Sequence, residues 1–349
     1  MKTTYKIYVL LVLFFFLAGL TAVSAKDEYT KTIRKQYPVK QGDKLIVDNR
    51  FGKVHCNNWD KDEVTLEVNI TVTARNEDEA NKFFDRISID ISSAGGVINA
   101  KTTLSENHTS SGNFEIDYEI NMPSYLDLNI TNKFGDIYVG ELAGKGDLEV
   151  SYGDLDVNKL QNSDNLIQVK FGKARIGWVK GAVVTLAYSQ LDLDYAGSMR
   201  LNSKYSNVDA GQVISLNFDF EGGKMEVTNT SIFESRSKFS DISIGKVEKS
   251  LNLDIQYGDC DVDEIPADFS AIRIRNRFGQ VSLGINAQAS YTLDASMQFC
   301  DLDYPQSRAR LTEVNVEPTS KSYKGVVGTD PQPKSSVTID SQYGGVSLK

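Results

Sequence analysis

The chain has 349 residues, with 47 acidic against 38 basic side chains, two histidines and three cysteines. A formal charge of −9 excludes any broad attraction for nucleic acid or anionic lipid. Cys56, Cys260 and Cys300 are too few and too scattered for a disulfide scaffold, while the length allows a large core and more than one domain.

The first 25 residues read as a secretory signal. Lys2 and Lys6 precede an almost wholly apolar run over 7–20, and Thr21-Ala22-Val23-Ser24-Ala25 supplies small residues before a cut after Ala25. The run is about 14 residues, short of the ~20 that cross a bilayer. Export to the periplasm, the outer surface or the medium is therefore expected. Cleavage leaves 324 residues and, without Lys2 and Lys6, a net charge of −11. No second apolar run is long enough to span a membrane.

Residues 26–124 predict a small mixed cap. Leu45, Val47 and Phe51-Gly52-Lys53-Val54 form an isolated early copy of a unit that recurs later. Alternation over 64–73 predicts a strand. Ala80, Phe83, Phe84 and Ile87 have helical spacing over 77–86, with Asn76 as the cap. Segments 87–91, 97–103 and 114–121 predict further strands.

From 125 to 349 one unit repeats. Alternating apolar positions lead to an aromatic, a small residue and a polar residue, and then alternation resumes. Its corners are Phe134-Gly135-Asp136, Tyr152-Gly153-Asp154, Phe171-Gly172-Lys173, Tyr188-Ser189-Gln190, Tyr205-Ser206-Asn207, Phe239-Ser240-Asp241, Tyr257-Gly258-Asp259, Phe278-Gly279-Gln280, Phe299-Cys300-Asp301 and Tyr343-Gly344-Gly345. One copy places Gly222 where the aromatic belongs. From Phe171 to Phe239 every step is 17 residues, and neighbouring steps run from 18 to 21. A fixed period of this length means one unit stacked on itself. It is too short for a helical crossover, so each coil must be strand and turn.

These features predict an all-β fold: a right-handed parallel β-solenoid of 17–21-residue coils at 125–349, capped by 26–124. Because Ile167, Val169 and Phe171 alternate, the corner aromatics are expected to stack inside as consecutive rungs. The proline-containing stretch 304–336 predicts an excursion that caps the end before a last coil at 337–348.

Catalytic and metal-ligand patterns are absent from the sequence: there is no nucleophile elbow, zinc-binding HExxH, CxxC or phosphate-binding glycine loop. No catalytic, cofactor-binding or metal residue is assigned, and no cofactor is expected. Outward acids at Asp156, Asp192, Asp209, Glu226, Asp261 and Asp303 line up as a stripe, which reads as a solvated face rather than a calcium site. Alternation turns His55 and Cys56 to opposite faces, which argues against a catalytic pair. With the ladder assigned to the core, Tyr125, Tyr138, Tyr195, Tyr291 and Tyr323 are the aromatics left for partner contact.

The corner units, such as Lys133-Phe134-Gly135-Asp136-Ile137, the helical leader near 78–87, and Tyr323-Lys324-Gly325-Val326-Val327-Gly328 ahead of Tyr343-Gly344-Gly345-Val346 together resemble a family of exported bacterial proteins. Members of unknown function are labelled adhesins or auto-transporter adhesin head-like domains. The resemblance covers nearly all of the chain after the signal and implies a β-helix. It implies a non-enzymatic binding or adhesion role toward a protein or glycan at the envelope, and brings no catalytic residues with it. The alternatives are a polysaccharide-active β-helix enzyme and a structural envelope component.

Overall fold

A computed structural model describes residues 26–105 and 114–349; the signal expected at 1–25, and His108, lie outside the described residues. Each coil is two short strands joined at the aromatic corner. Asp127–Lys133 leads through Phe134 into Ile137–Leu142, a second turn follows, and Gly146–Ser151 begins the next coil. Successive coils pair in parallel and in register along both walls: Ile130 lies beside Leu148 and then Ile167, and Val139 beside Val157 and then Ile176. The expected parallel, nearly all-strand solenoid is what the chain forms.

Alternation explains why these rows are interior. The rows Ile130, Leu148, Ile167, Val184, Leu201, Phe218 and Val139, Val157, Ile176, Leu193, Ala210 are all buried and face one another across the coil. Each such Leu or Ile removed from water contributes about 1.5–3 kcal/mol, so the stack is held mainly by these two walls.

The early copy is a true coil. Lys44–Arg50 and Val54–Asn58 pair in parallel with Asp127–Lys133 and Ile137–Leu142 on one side. On their other side they pair in parallel with Val97–Leu104 and Phe114–Met122. Beyond that level the pairing turns antiparallel. Ile87–Ala94 lies on Val97–Leu104, Glu63–Ala74 on Phe114–Met122, and Asp27–Pro38 on Glu63–Ala74. Helix Glu77–Phe84 starts where predicted, with the Asn76 side chain accepting from the Glu79 N–H at 2.9 Å. Antiparallel strands and the helix thus replace the parallel edge that an open coil would leave exposed.

At the other end chain order and spatial order part. Ser335–Gln342, the last coil in sequence, is inserted between Ala271–Arg277 and Tyr291–Gln298, pairing in parallel with both. Val346–Leu348 likewise lies between Val281–Ile285 and Leu302–Asp303. The expected excursion forms an antiparallel hairpin, Ala309–Val316 with Ser320–Val327, whose second strand covers Tyr291–Gln298. The segment that ends the chain is an interior rung, and the hairpin is the cap.

Candidate functional site

The corner aromatics are where structure and sequence expectation differ most. Eleven of them, from Phe51 to Tyr343, hold a left-handed backbone with φ of 50–61°, a region that costs an L-residue roughly 1–2 kcal/mol. That rotation breaks the strand alternation at the corner. Phe171 follows buried Ile167 and Val169 at the parity of an interior position, yet its side chain swings outward. The ladder expected inside the coil therefore runs along the outside, and the rings from Phe134 onward are 47–61% exposed.

The rings still stack as consecutive rungs. Phe51, Phe134, Tyr152, Phe171, Tyr188 and Tyr205 form one run, with centroids 4.8–5.2 Å apart. Phe239, Tyr257, Phe278, Tyr343 and Phe299 form a second at 4.8–5.1 Å, in the spatial order set by the inserted coil. The ladder spacing of the strands matches the offset-stacking distance of the rings, so one geometry serves both. Phe114 closes the first run edge-on to Phe51, at 5.4 Å and 67°.

Each neighbour of the aromatic has its own reason. A Cβ on Gly153 would lie 2.2 Å from the Gly135 carbonyl oxygen, and one on Gly172 would lie 1.9 Å from that of Gly153. Where serine replaces glycine its hydroxyl turns inward, and Ser206 and Ser240 each donate at 2.8 Å to the carbonyl two residues earlier. The following aspartate holds the stack together rather than a ligand. Asp136 accepts from the Asp154 N–H at 2.8 Å, Asp154 from the Lys173 N–H at 2.9 Å, and Asp259 from the Gln280 N–H at 2.7 Å. Buried Asn132 donates to the Gly52 and Asp136 carbonyls at 2.8 and 3.1 Å, clamping its corner from within.

Stacking on two sides contributes about 0.5–1.5 kcal/mol per pair, which roughly offsets the left-handed strain. Tyr188→Ala should therefore lower stability by about 2 kcal/mol, because the ring goes and the strain stays. Tyr188→Gly should cost about 1 kcal/mol less than the alanine variant, reversing the usual order of the two residues in a strand. Urea denaturation of both variants checks the order.

The acidic stripe is punctuated by cations. Arg175 pairs with Asp156 at 3.1 Å and Asp154 at 3.4 Å, Lys224 with Glu226 at 2.7 Å, and Lys173 with Asp192. Asp303 accepts from the Ser347 hydroxyl at 3.1 Å. Among the described residues no three His, Cys, Asp or Glu side chains converge as metal ligands. His55 and Cys56 do point apart: Cys56 is buried, and His55 lies outward 3.3 Å from Glu119. Burial pushes the Cys56 and Cys260 thiols up to about 12, well away from nucleophilic character.

The five tyrosines set aside for partner contact scatter. Tyr138 is exposed beside His55, and Tyr195 stacks on Trp178 at 5.6 Å. Tyr125 donates to Asp62 at 2.8 Å, and Tyr323 packs against Tyr304. Tyr291 is a core residue against Phe269 and presents nothing to solvent. They form no stacked series, whereas the ladder forms two long runs of rings interrupted only at Gly222.

No family model and no curated protein matches the chain. Among solved structures it is similar to a "putative adhesin" from Bacteroides fragilis, at 12% identity over 91% of this chain and 97% of that one, with a TM-score of 0.31. It is similar at 12% identity, 91% and 97% coverage and a TM-score of 0.30 to a "putative adhesin" from Parabacteroides distasonis. A "putative lipid binding protein" from the latter organism aligns at 10% identity with 91% and 97% coverage and a TM-score of 0.21. Likeness this distant assigns neither ligand nor activity.

Proposed function

We propose that this chain is an exported, non-enzymatic binding protein that meets its partner through the outward aromatic ladder, in the manner of the adhesin head-like proteins its corner units resemble. Within residues 26–124 the antiparallel strands and the helix then serve to cover the open end of the stack, to which 44–58 add a coil of their own. The carrying observation is the ladder itself. Two runs of stacked rings hold a long apolar strip in water, at corners whose left-handed backbone glycine or asparagine would adopt with less strain. Contiguous exposed apolar surface of this kind is the usual mark of an interaction face. Paired surface charges to either side would keep the protein soluble without competing for the strip.

The partner is a protein or glycan at the cell envelope or surface. No helix among the described residues is long and apolar enough to cross a membrane. The test is binding of residues 26–349 to an array of envelope glycans, host glycans and matrix proteins, with and without calcium. Saturable binding without turnover is expected, unchanged by chelation and lost from a Phe171→Asn/Tyr188→Asn variant, since asparagine tolerates the left-handed corner but removes the rings. Product release from any glycan would replace this reading with an enzymatic one. Binding untouched by that variant would move the contact away from the ladder.

A further inference from the structure

The ladder has one missing ring. Gly222 holds the same left-handed corner, φ +71°, in the same register, with the Tyr205 N–H donating to the Glu221 carbonyl at 2.8 Å and the Ser206 N–H to the Gly222 carbonyl at 3.3 Å. The rung is intact and only its side chain is absent. Tyr205 therefore stacks on Tyr188 alone, and Phe239 on Tyr257 alone. Two rungs put the facing rings about 10 Å apart, the room that one ring occupies elsewhere in the stack.

Two features show that the vacancy is felt locally. Tyr205 leans 18° from Tyr188, whereas the other stacked neighbours in the ladder lie within 10° of parallel. It leans toward the gap, so that a Cβ on Gly222 would stand 2.8 Å from its Cδ1. Beside the gap, on the outer strand wall, lies an open hollow of about 420 Å³ bounded by outward side chains that include Ala187, Asn202, Lys204, Glu221, Arg236 and Lys238. Within each run a ring is flanked on both faces by its neighbours. At Gly222 no ring stands between Tyr205 and Phe239, and Tyr205 tips part of the way into that space.

We propose that this slot takes the ring of one aromatic side chain presented by a partner protein, completing the stack, with the side chain's stem lying in the adjoining hollow. The filled rungs define the shape that fits: a flat six-membered ring about 5 Å from each neighbour. A puckered sugar is thicker than a ring and needs partners for its hydroxyls, and four of the nearby charged groups already pair with one another. Lys204 pairs with Glu221 at 3.5 Å and Arg236 with Asp219 at 3.1 Å. Phe or Tyr needs neither, and its π faces meet two others in the offset arrangement the ladder already uses.

The inference rests on the ladder being the contact surface, and the two can fail separately. The probe is N-acetyl-tyrosinamide, titrated against residues 26–349 and followed by proton NMR, with N-acetyl-leucinamide and methyl β-glucopyranoside as controls. A ring sandwiched between two others must show upfield shifts of its aromatic protons, and only the tyrosine probe should saturate. Gly222→Phe fills the slot from within and should weaken the probe at least about tenfold. Tyr205→Asn removes one wall and should do the same, so the test survives if either variant folds poorly. Absence of the upfield shift, equal binding to both variants, or preference for the glucoside would overturn the slot. If array binding persisted through such a result, the ladder reading would stand without it.

Discussion

Deleting residues 335–349 should detach the whole C-terminal cap rather than trim the rod. In sequence these are the last coil, but Ser335–Gln342 separates Ala271–Arg277 from Tyr291–Gln298 and supplies the parallel ladder to both. Its side chains Val337 and Ile339 continue the interior row between Ile272 and Ile274 on one side and Leu293 and Ala295 on the other. Tyr343 is likewise the ring between Phe278 and Phe299. Truncation opens a gap one strand wide, about 4.8 Å, and removes the partner of both flanking strands. Losing Val337, Ile339, Val346 and Leu348 alone removes about 6–12 kcal/mol of apolar burial, comparable with the net stability of a whole domain. Limited proteolysis with mass mapping should find cleavage throughout 286–334 in the truncated chain and protection before 266. A truncated protein as resistant as the parent across 286–334 would contradict the inserted order.

The second large effect is expected at the corner glycines. Gly153→Val should lower stability by about 4 kcal/mol or more, because the added Cβ would lie 2.2 Å from the Gly135 carbonyl oxygen and 2.6 Å from its carbon. The obstacle is backbone of the adjoining rung, so no rotamer relieves it and the coils must separate. Gly153→Ser brings the same Cβ but no branch, and its hydroxyl can turn inward onto a carbonyl as at Ser206 and Ser240, at 2.8 Å, so it should cost less than the valine. Thermal melts of the two variants compare them. Similar losses would mean the corner relaxes freely and the close approach carries little energy.

The ladder's position shows why local pattern misleads at a corner. Ile167, Val169 and Phe171 alternate without a break in the sequence, and alternation alone assigns all three to one face. The assumption that fails is that Phe171 has strand dihedrals. At φ 55° the chain reverses hand for one residue, the ring exits, and Ala174 and Ile176 resume the interior row. The parity shift across the corner was visible in the spacing, since Val169 and Ala174 are an odd number of residues apart. What spacing lacks is the sign of φ, because an aromatic is an uncommon choice for the left-handed region. The scattered tyrosines were favoured for contact only because the ladder had been placed in the core, and Tyr291 lies in that core.

The sequence by itself determined the elements and their stacking. A 17-residue period, alternation about each corner, a small residue after the aromatic and an Asn76-capped helix are local or strictly periodic signals. Each acts through backbone geometry that repeats in every coil. Tertiary structure alone decided three things. The rings face out because a corner dihedral, rather than hydrophobicity, sets their direction. The last coil enters the stack as its next-to-last parallel rung because strand pairing is non-local: Ser335–Gln342 completes the ladders of two strands that precede it by dozens of residues. The slot at Gly222 exists because its neighbours are rings, a property that belongs to the stack and to no single coil.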